Sequence, residues 1–317
     1  MAKKYDVVSA GLMLADILIR YIDPSALTRD ATPMEEITFM PGGDAQNVSI
    51  TMTQLGSKVA LVGLVGNDAF GRMITDYSKD KGVDVSHITV SDTLQTSISM
   101  PMITRDAQRR SIGIRQCSDS FSEDNIDLSL LEQTRMLTIE SMFALKTFDG
   151  AQTARVLKRA KELGVITCAD TKTDRLGRGL KILEDVLPNL DYFLPSIAEV
   201  EGLTGLSDPD KIADILLSMG AKNVAIKLGK QGCFIKNHET SKYCNAYKVK
   251  PIDTTGSGDN FVSGFLTGVL QGKSFEECAM LGNACGSINA TKVGATGAVT
   301  SMEQVLEFMR VTPFEKD

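Results

Sequence analysis

Short apolar runs rich in β-branched residues alternate along the chain with stretches whose apolar positions recur every three to four residues. Residues 7–10, 59–65, 137–139, 165–169, 192–194 and 224–228 are apolar at nearly every position, the pattern of strands buried on both faces. Between several of them, Ala45, Val48, Met52 and Leu55, then Phe70, Met73, Ile74 and Tyr77, then Ala154, Val156, Leu157 and Ala160 each fall on one side of a helical period. Repeated strand-then-helix order predicts an α/β fold, a mostly parallel central sheet flanked by helices and joined by right-handed crossovers.

Two stretches break this rhythm. Residues 17–39, with Pro24 and Pro33 in a loop between apolar runs, and residues 96–115 read as antiparallel strands without helices. They predict either one small sheet assembled from insertions on the larger one or two ordinary surface hairpins, and periodicity alone does not choose. Residues 256–270 and 275–291 are helical in period and dense in Gly, Ala, Ser and Cys, so these helices can pack closely or let a flat ligand approach the backbone.

With 317 residues, 43% apolar and 23% charged, the composition is that of a globular protein, and no linker or internal repeat divides it, which predicts a single domain over 1–317. Its 34 Lys+Arg against 40 Asp+Glu give a net charge of −6, which argues against a nucleic-acid partner. Two histidines, His87 and His238, do not furnish a His-rich metal site. The six cysteines contain no C-x-x-C pair and read as free thiols in a reducing cytosol. No apolar run reaches the ~18 residues that span a bilayer, so the expectation is a soluble cytoplasmic protein with no membrane partner.

The densest chemical signal is Asp253-Thr254-Thr255-Gly256-Ser257-Gly258-Asp259 at the start of a helix-period run. Amides of Gly256, Ser257 and Gly258 at a helix start form an anion hole suited to phosphate. Asp259 lies in the first turn, where it can take a proton from an attacking hydroxyl. The plainer reading is a glycine-rich turn with a helix-start carboxylate.

The whole string resembles the C-terminal signature of the ribokinase-like, or PfkB, carbohydrate kinases. Pro41-Gly42-Gly43 with Asn47, then Leu55-Gly56 and the run from Val62 to Gly71, resemble the N-terminal signature of that family. Ala10-Gly11 with Asp16, Leu228-Gly229-Lys230-Gln231-Gly232 and Val293-Gly294-Ala295 match further landmarks, so the resemblance covers nearly the whole chain.

This resemblance implies a ribokinase-like fold with a small β-sheet lid built from residues 14–40 and 94–116. It also implies transfer of the γ-phosphate of ATP to a sugar hydroxyl, with Mg2+ bridging the phosphates. Asp259 would be the base and residues 256–258 the anion hole. Asp16, Gly42, Gly43, Asn47 and Glu140 fall on sugar-binding positions, and Ser196, Lys227, Gly229, Gly232 and Asn283 on nucleotide-binding ones. Glu199 would reach Mg2+ through water, while Asp253 and the Thr255 carbonyl would hold a monovalent cation, K+. Leu14 departs from the family, where a polar Asn stands, and Ser196 replaces the Asn of an Asn-x-x-Glu motif.

Arg105, Arg109, Arg110 and Arg115 lie in the second lid segment. They are either solvated at a hairpin tip or, Arg115 above all, turned inward toward a carboxylate- or phosphate-bearing sugar. Asp170, Lys172 and Arg175 fall near the expected cleft rim without an assignable role. The leading expectation is a kinase for a small sugar, a furanose-forming pentose or ketohexose. The alternatives are a kinase for an acidic or phosphorylated sugar or for a nucleoside, and a non-catalytic sugar sensor. Apolar alternation at Ile98, Met100 and Met102 suits a homodimer formed through the lid, or a lid packed on its own core.

Overall fold

The uninterrupted apolar runs become strands sealed between helices. The structure is a computed structural model that describes residues 3–20, 22–104 and 109–315. Its strands are β1 (Tyr5–Gly11), β2 (Leu14–Arg20), β3 (Glu36–Gly42), β4 (Val59–Gly66), β5 (Ile88–Ser91), β6 (Ile98–Ile103), β7 (Arg109–Ile114), β8 (Thr134–Met142), β9 (Ile166–Thr171), β10 (Tyr192–Phe193), β11 (Asn223–Lys227), β12 (Cys233–Lys236) and β13 (Ser241–Cys244). The α-helices are α1 (Asp44–Gln54), α2 (Ala69–Asp80), α3 (Gln116–Ser120), α4 (Leu130–Gln133), α5 (Ala151–Glu162), α6 (Ile197–Thr204), α7 (Pro209–Ser218), α8 (Ser257–Leu270), α9 (Phe275–Ala290) and α10 (Met302–Val311).

Nine strands form one sheet in the order β13-β12-β11-β10-β9-β8-β1-β4-β5. All neighbours from β5 to β11 pair parallel, and only the β11-β12-β13 edge is antiparallel. All six predicted strands lie in this sheet. The β12-β13 hairpin was not expected as a pair of strands, because Ser-Lys-Tyr-Cys at the open edge is mostly solvated and shows no apolar run. Helix starts follow local chemistry: the Asp68 carboxylate accepts the Gly71 amide at 2.8 Å to begin α2, and Ser274 with Glu277 forms a capping box on α9.

The two insertions form one separate sheet in the order β3-β2-β6-β7, which settles the small-sheet alternative over independent hairpins. Each insertion is antiparallel within itself, but the seam between β2 and β6 is parallel. Register places Met40, Asp16, Ser99 and Gly113 in one row across this lid. Met40 Sδ lies 4.0 Å from the position of a Cβ on Gly294, so this row faces the core. On the other face lie Ile17, Phe39, Ile19 and Ile37, with Ile37 and Phe39 about half exposed and Phe39 stacked on Phe70 of α2 at 6.4 Å; Ile112, also about half exposed, lines the cavity beneath the lid. Ile98 and Met100 are only partly buried, whereas Met102 is 7% exposed, so the most exposed apolar residues of the lid are those on β3 and β7.

The small-residue helices α8 and α9 pack against each other at close range. A Cβ on Gly264 would stand 2.6 Å from the Leu281 carbonyl and 2.7 Å from Cys285 Sγ, and one on Gly282 would meet the Phe261 ring at 2.9 Å. Glycine here serves helix contact. Gly264→Ala is therefore expected to destabilise the fold by about 1–3 kcal/mol, the usual cost of overpacking, read as a lowered denaturation midpoint in urea. An unchanged midpoint would mean the two helices can separate freely.

Candidate active site

The site lies at the carboxyl ends of the parallel strands, where an open α/β sheet leaves a crevice. Gly11 ends β1, Glu140 and Ser141 lie at the end of β8, Asp170 and Thr171 end β9, and Lys227 ends β11. The N-termini of α1 and α8 enter the same crevice. Backbones crowd here: a Cβ on Gly11 would stand 2.3 Å from the Glu140 carbonyl oxygen, and one on Gly43 equally close to that of Leu12. Gly43 has φ 101°, a conformation that leaves the position to glycine. Directly after Glu140, Ser141 at φ 67° and Phe143 at φ 71° hold the left-handed conformation without being glycine, strain of the kind found at functional sites.

One carboxylate oxygen from each of Asp44, Asp170 and Asp259 lies within 4.8 Å of the others, and all three residues are buried. Two lysines balance them. Lys172 Nζ is 2.8 Å from Asp44 Oδ1, and Lys227 Nζ donates to Asp170 Oδ2 at 2.6 Å. Ser141 Oγ donates to Asp44 Oδ2 at 2.7 Å, and Asn47 Nδ2 donates to Asp259 Oδ2 at 2.7 Å. Glu140, fully buried, accepts from Thr138 Oγ1 at 2.5 Å through Oε1.

Burial, then the charge of Asp170, pushes Glu140 well above the ordinary carboxylate range. Burial raises Asp170 to about 7, with Lys227 opposing the shift. Burial and the Asp44 charge raise Asp259 to about 6, against Lys172, Asn47 and Lys227. For both lysines burial disfavours the charge, but the facing carboxylates, Asp44 first for Lys172 and Asp170 first for Lys227, outweigh it and hold them protonated.

Most of the expected residues converge here. Asp16 shares the core-facing lid row, and its Oδ2 would stand 2.7 Å from a Cβ on Gly42, so Gly42 lets the carboxylate sit against the backbone. Gly256 caps α8 in the left-handed conformation, its Cα packed against Ala295. The Ser257 amide donates to the Thr254 carbonyl at 3.1 Å, which leaves the amides of Gly256 and Gly258 without a backbone acceptor among the described residues. A Cβ on Gly258 would lie 3.7 Å from Lys227 Nζ, so Lys227 borders the anion loop.

Other expected residues support the frame. Asn283 donates to the carbonyls of Cys244 and Asn245, fixing the end of β13. Gly229 and Gly232, at φ 61° and 94°, turn the chain between β11 and β12. Ser196 and Glu199 form the capping box of α6, with Glu199 Oε2 accepting from the Ser196 amide at 2.8 Å and from Thr171 Oγ1 at 2.9 Å. Asp253 accepts from the Thr255 amide, the Thr255 hydroxyl and the Gly294 amide, and the Thr255 carbonyl accepts from Asn289 Nδ2.

A cavity of about 720 Å3 separates lid from core, and Arg115 is in its wall. Arg115 donates to Asp119 at 3.2 Å and to the Ala144 carbonyl at 2.5 Å. Arg105 lies outside the described residues. Asp44, Ser141 and Thr171 were not singled out from sequence, and Asp170 and Lys172 had no role there. The one available sign was the position of Asp44 directly after Gly42-Gly43.

The pfkB family carbohydrate kinase model matches residues 6–302. The chain is 26% identical to the ribokinase of Haemophilus influenzae over 277 residues, which is 84% of this chain and 87% of that one. It is 28% identical to fructokinase-1 of Oryza sativa subsp. japonica over 319 residues, 96% of this chain and 97% of that protein. The structure of Arabidopsis thaliana ribokinase complexed with ribose and ATP superposes with a TM-score of 0.85 at 22% identity, over 98% of this chain and 99% of that one.

Because Glu140, Asp170 and Asp259 bind protons more tightly folded than unfolded, they make stability fall as pH rises from the ordinary carboxylate value of about 4 through about 7. Glu140→Gln removes one such group at nearly constant shape. Its thermal midpoint is expected to exceed that of the parent by a few degrees near pH 8 and to approach it as pH falls toward about 4. A variant less stable than the parent near pH 8 would refute this account of the cluster.

Proposed function

Since the chain belongs to the pfkB family of carbohydrate kinases, we propose that this crevice moves the γ-phosphoryl group of ATP to a hydroxyl of a small sugar held beneath the lid. The observation that carries this reading is a pair of buried polar atoms, Asn47 Oδ1 and Glu140 Oε2, that have no partner among the described residues. Buried polar atoms require hydrogen-bond partners, and sugar hydroxyls, which both donate and accept, supply them. Asp16 in the lid row and the glycine amides at 42 and 43 complete a polar wall on which a sugar can be oriented.

In this reading Asp259 accepts the proton of the attacking hydroxyl. With its acid raised only to about 6, it is ionised at neutral pH yet basic enough to hold a proton in flight. Asn47 fixes the carboxylate by donating to Oδ2, leaving Oδ1 for the hydroxyl. The amides of Gly256 and Gly258, the start of α8 and the Lys227 ammonium surround the transferred group with positive charge. A loose phosphoryl transition state asks mainly for such positioning and neutralisation.

The donors around the anion loop suit Mg2+: Glu199 and Asp170 offer hard carboxylate oxygens, and Glu199 opens on a cavity of about 240 Å3 with room for a hydrated ion. When bound, Mg2+ neutralises the phosphates of ATP. Asp253, the Thr255 carbonyl and Asn289 Oδ1, a buried acceptor without a partner among the described residues, are the oxygen set for K+. The nucleotide lies toward the β11-β12 turn at Gly229 and Gly232 and the segment fixed by Asn283. Six buried free thiols support a reducing, cytoplasmic setting. No helix among the described residues is long and apolar enough to cross a membrane. The half-exposed Ile37 and Phe39 support pairing of two lids in a homodimer.

Asp259→Asn is expected to lower kcat for ADP release about 10²–10⁴-fold while sugar and ATP affinities stay within about tenfold; comparable loss of both affinities would make Asp259 structural. No ADP release over a panel of sugars that bind tightly would establish a sensor. Phe39→Asp is expected to convert a dimer to a monomer in sedimentation velocity, and a parent that is already monomeric would remove the lid pairing.

A further inference from the structure

Five cations line the cavity between lid and core: Arg110, Arg115, Lys146, Lys172 and Arg175, with Asp119 as the one carboxylate. That ratio inverts the balance of a chain carrying 34 basic against 40 acidic residues. The five come from three separate segments, strand β7 and its end, the turn after β8, and the loop after β9, so no single helix face or charge run explains them.

Their commitments differ. Lys172 is spent on Asp44 at 2.8 Å, and Arg115 is braced between Asp119 and the Ala144 carbonyl. Lys146 and Arg175 are exposed and form no ion pair among the described residues. The cavity thus has two ends of opposite character. At the inner end Lys172, paired with Asp44, lines the wall, and behind it lie the buried carboxylates of Asp44, Asp170 and Asp259, which repel an anion. At the outer end stand positive groups whose charge a neutral sugar, even while accepting their hydrogen bonds, leaves uncompensated.

We propose that the sugar is anionic, carrying a carboxylate or phosphate group that Arg175 and Lys146 hold at the outer end, with braced Arg115 adding its field. The phosphorylated hydroxyl then points inward to Asp259, because the opposite orientation would set the anion against the carboxylate cluster. The planar guanidinium of Arg175 matches either oxyanion through paired hydrogen bonds. This inference rests on the kinase reading and names its substrate class.

The test compares ADP release with three compounds on one carbon skeleton: a neutral ketohexose, the corresponding 2-keto sugar acid, and the terminal monophosphate of the ketohexose. One of the two anions is expected to exceed the neutral sugar in kcat/KM by roughly tenfold or more, and which one identifies carboxylate or phosphate. In Arg175→Ala and Lys146→Ala the ratio of kcat/KM for that anion over the neutral sugar is expected to fall roughly tenfold, through KM, with Arg175→Lys recovering part of it. A neutral sugar turned over as well as both anions, or an unchanged ratio in both variants, overturns the inference and leaves the kinase standing. Calorimetric binding of an anion that depends on Arg175, without turnover of any compound, upholds the anion site and removes the kinase reading instead.

Discussion

Three carboxylates held within 4.8 Å of one another in a buried crevice set the terms for everything around them. Burial, with the neighbouring like charges adding to it, raises the proton affinity of Asp170 and Asp259. Lys172 and Lys227 offset this with one ammonium each, and Ser141 and Asn47 add neutral hydrogen bonds. The balance is partial, since Glu140 and Asp170 still hold protons more tightly than solvated acids. A pocket left short of donors is one in which a ligand rich in hydroxyl groups improves the hydrogen bonding.

The backbone makes this crowding possible. Strands β1 and β8 run side by side with Gly11 opposite Glu140, and the missing side chain at Gly11 lets β8 deliver Glu140 into the crevice. The strained turn at Ser141 and Phe143 then redirects the chain, so that Ser141 reaches Asp44 at the start of α1. Gly43 lets α1 begin against the Leu12 carbonyl, which sets Asn47 one turn later beside Asp259 of α8, a residue 212 positions away. Close packing of α8 on α9 anchors the other side. The site is thus preorganised by the same glycines and buried strands that close the core.

The central sheet was legible in sequence because strands such as β4, buried along its whole length, must be apolar at every position. The lid was legible as broken rhythm, but its parallel β2-β6 seam was not, because pairing between distant insertions leaves no local pattern. The glycine-rich loop with Asp259 and the Gly42-Gly43-Asn47 run were readable as strings. The neutralising network was not: Lys172 with Asp44 and Lys227 with Asp170 are ordinary charges until the sheet brings strand ends together. Nor could the sequence show that the Ser257 amide is taken up by Thr254, since a capping turn and an open anion hole share one composition.

Net charge and site charge answer different questions. A chain of net charge −6 repels anions at long range, but within about a Debye length, ~8–10 Å, the local arrangement governs. Here the local arrangement is graded, from the buried acids Asp44, Asp170 and Asp259 to Lys227 and the start of α8. Lys227 stands at the junction, 2.6 Å from Asp170 and next to Gly258. In the proposed transfer its charge is shared between holding the carboxylate cluster together and meeting an arriving phosphate. A neutral residue there would leave Asp170 buried without its partner, so the side chain proposed to meet phosphate is required by the carboxylate cluster as well.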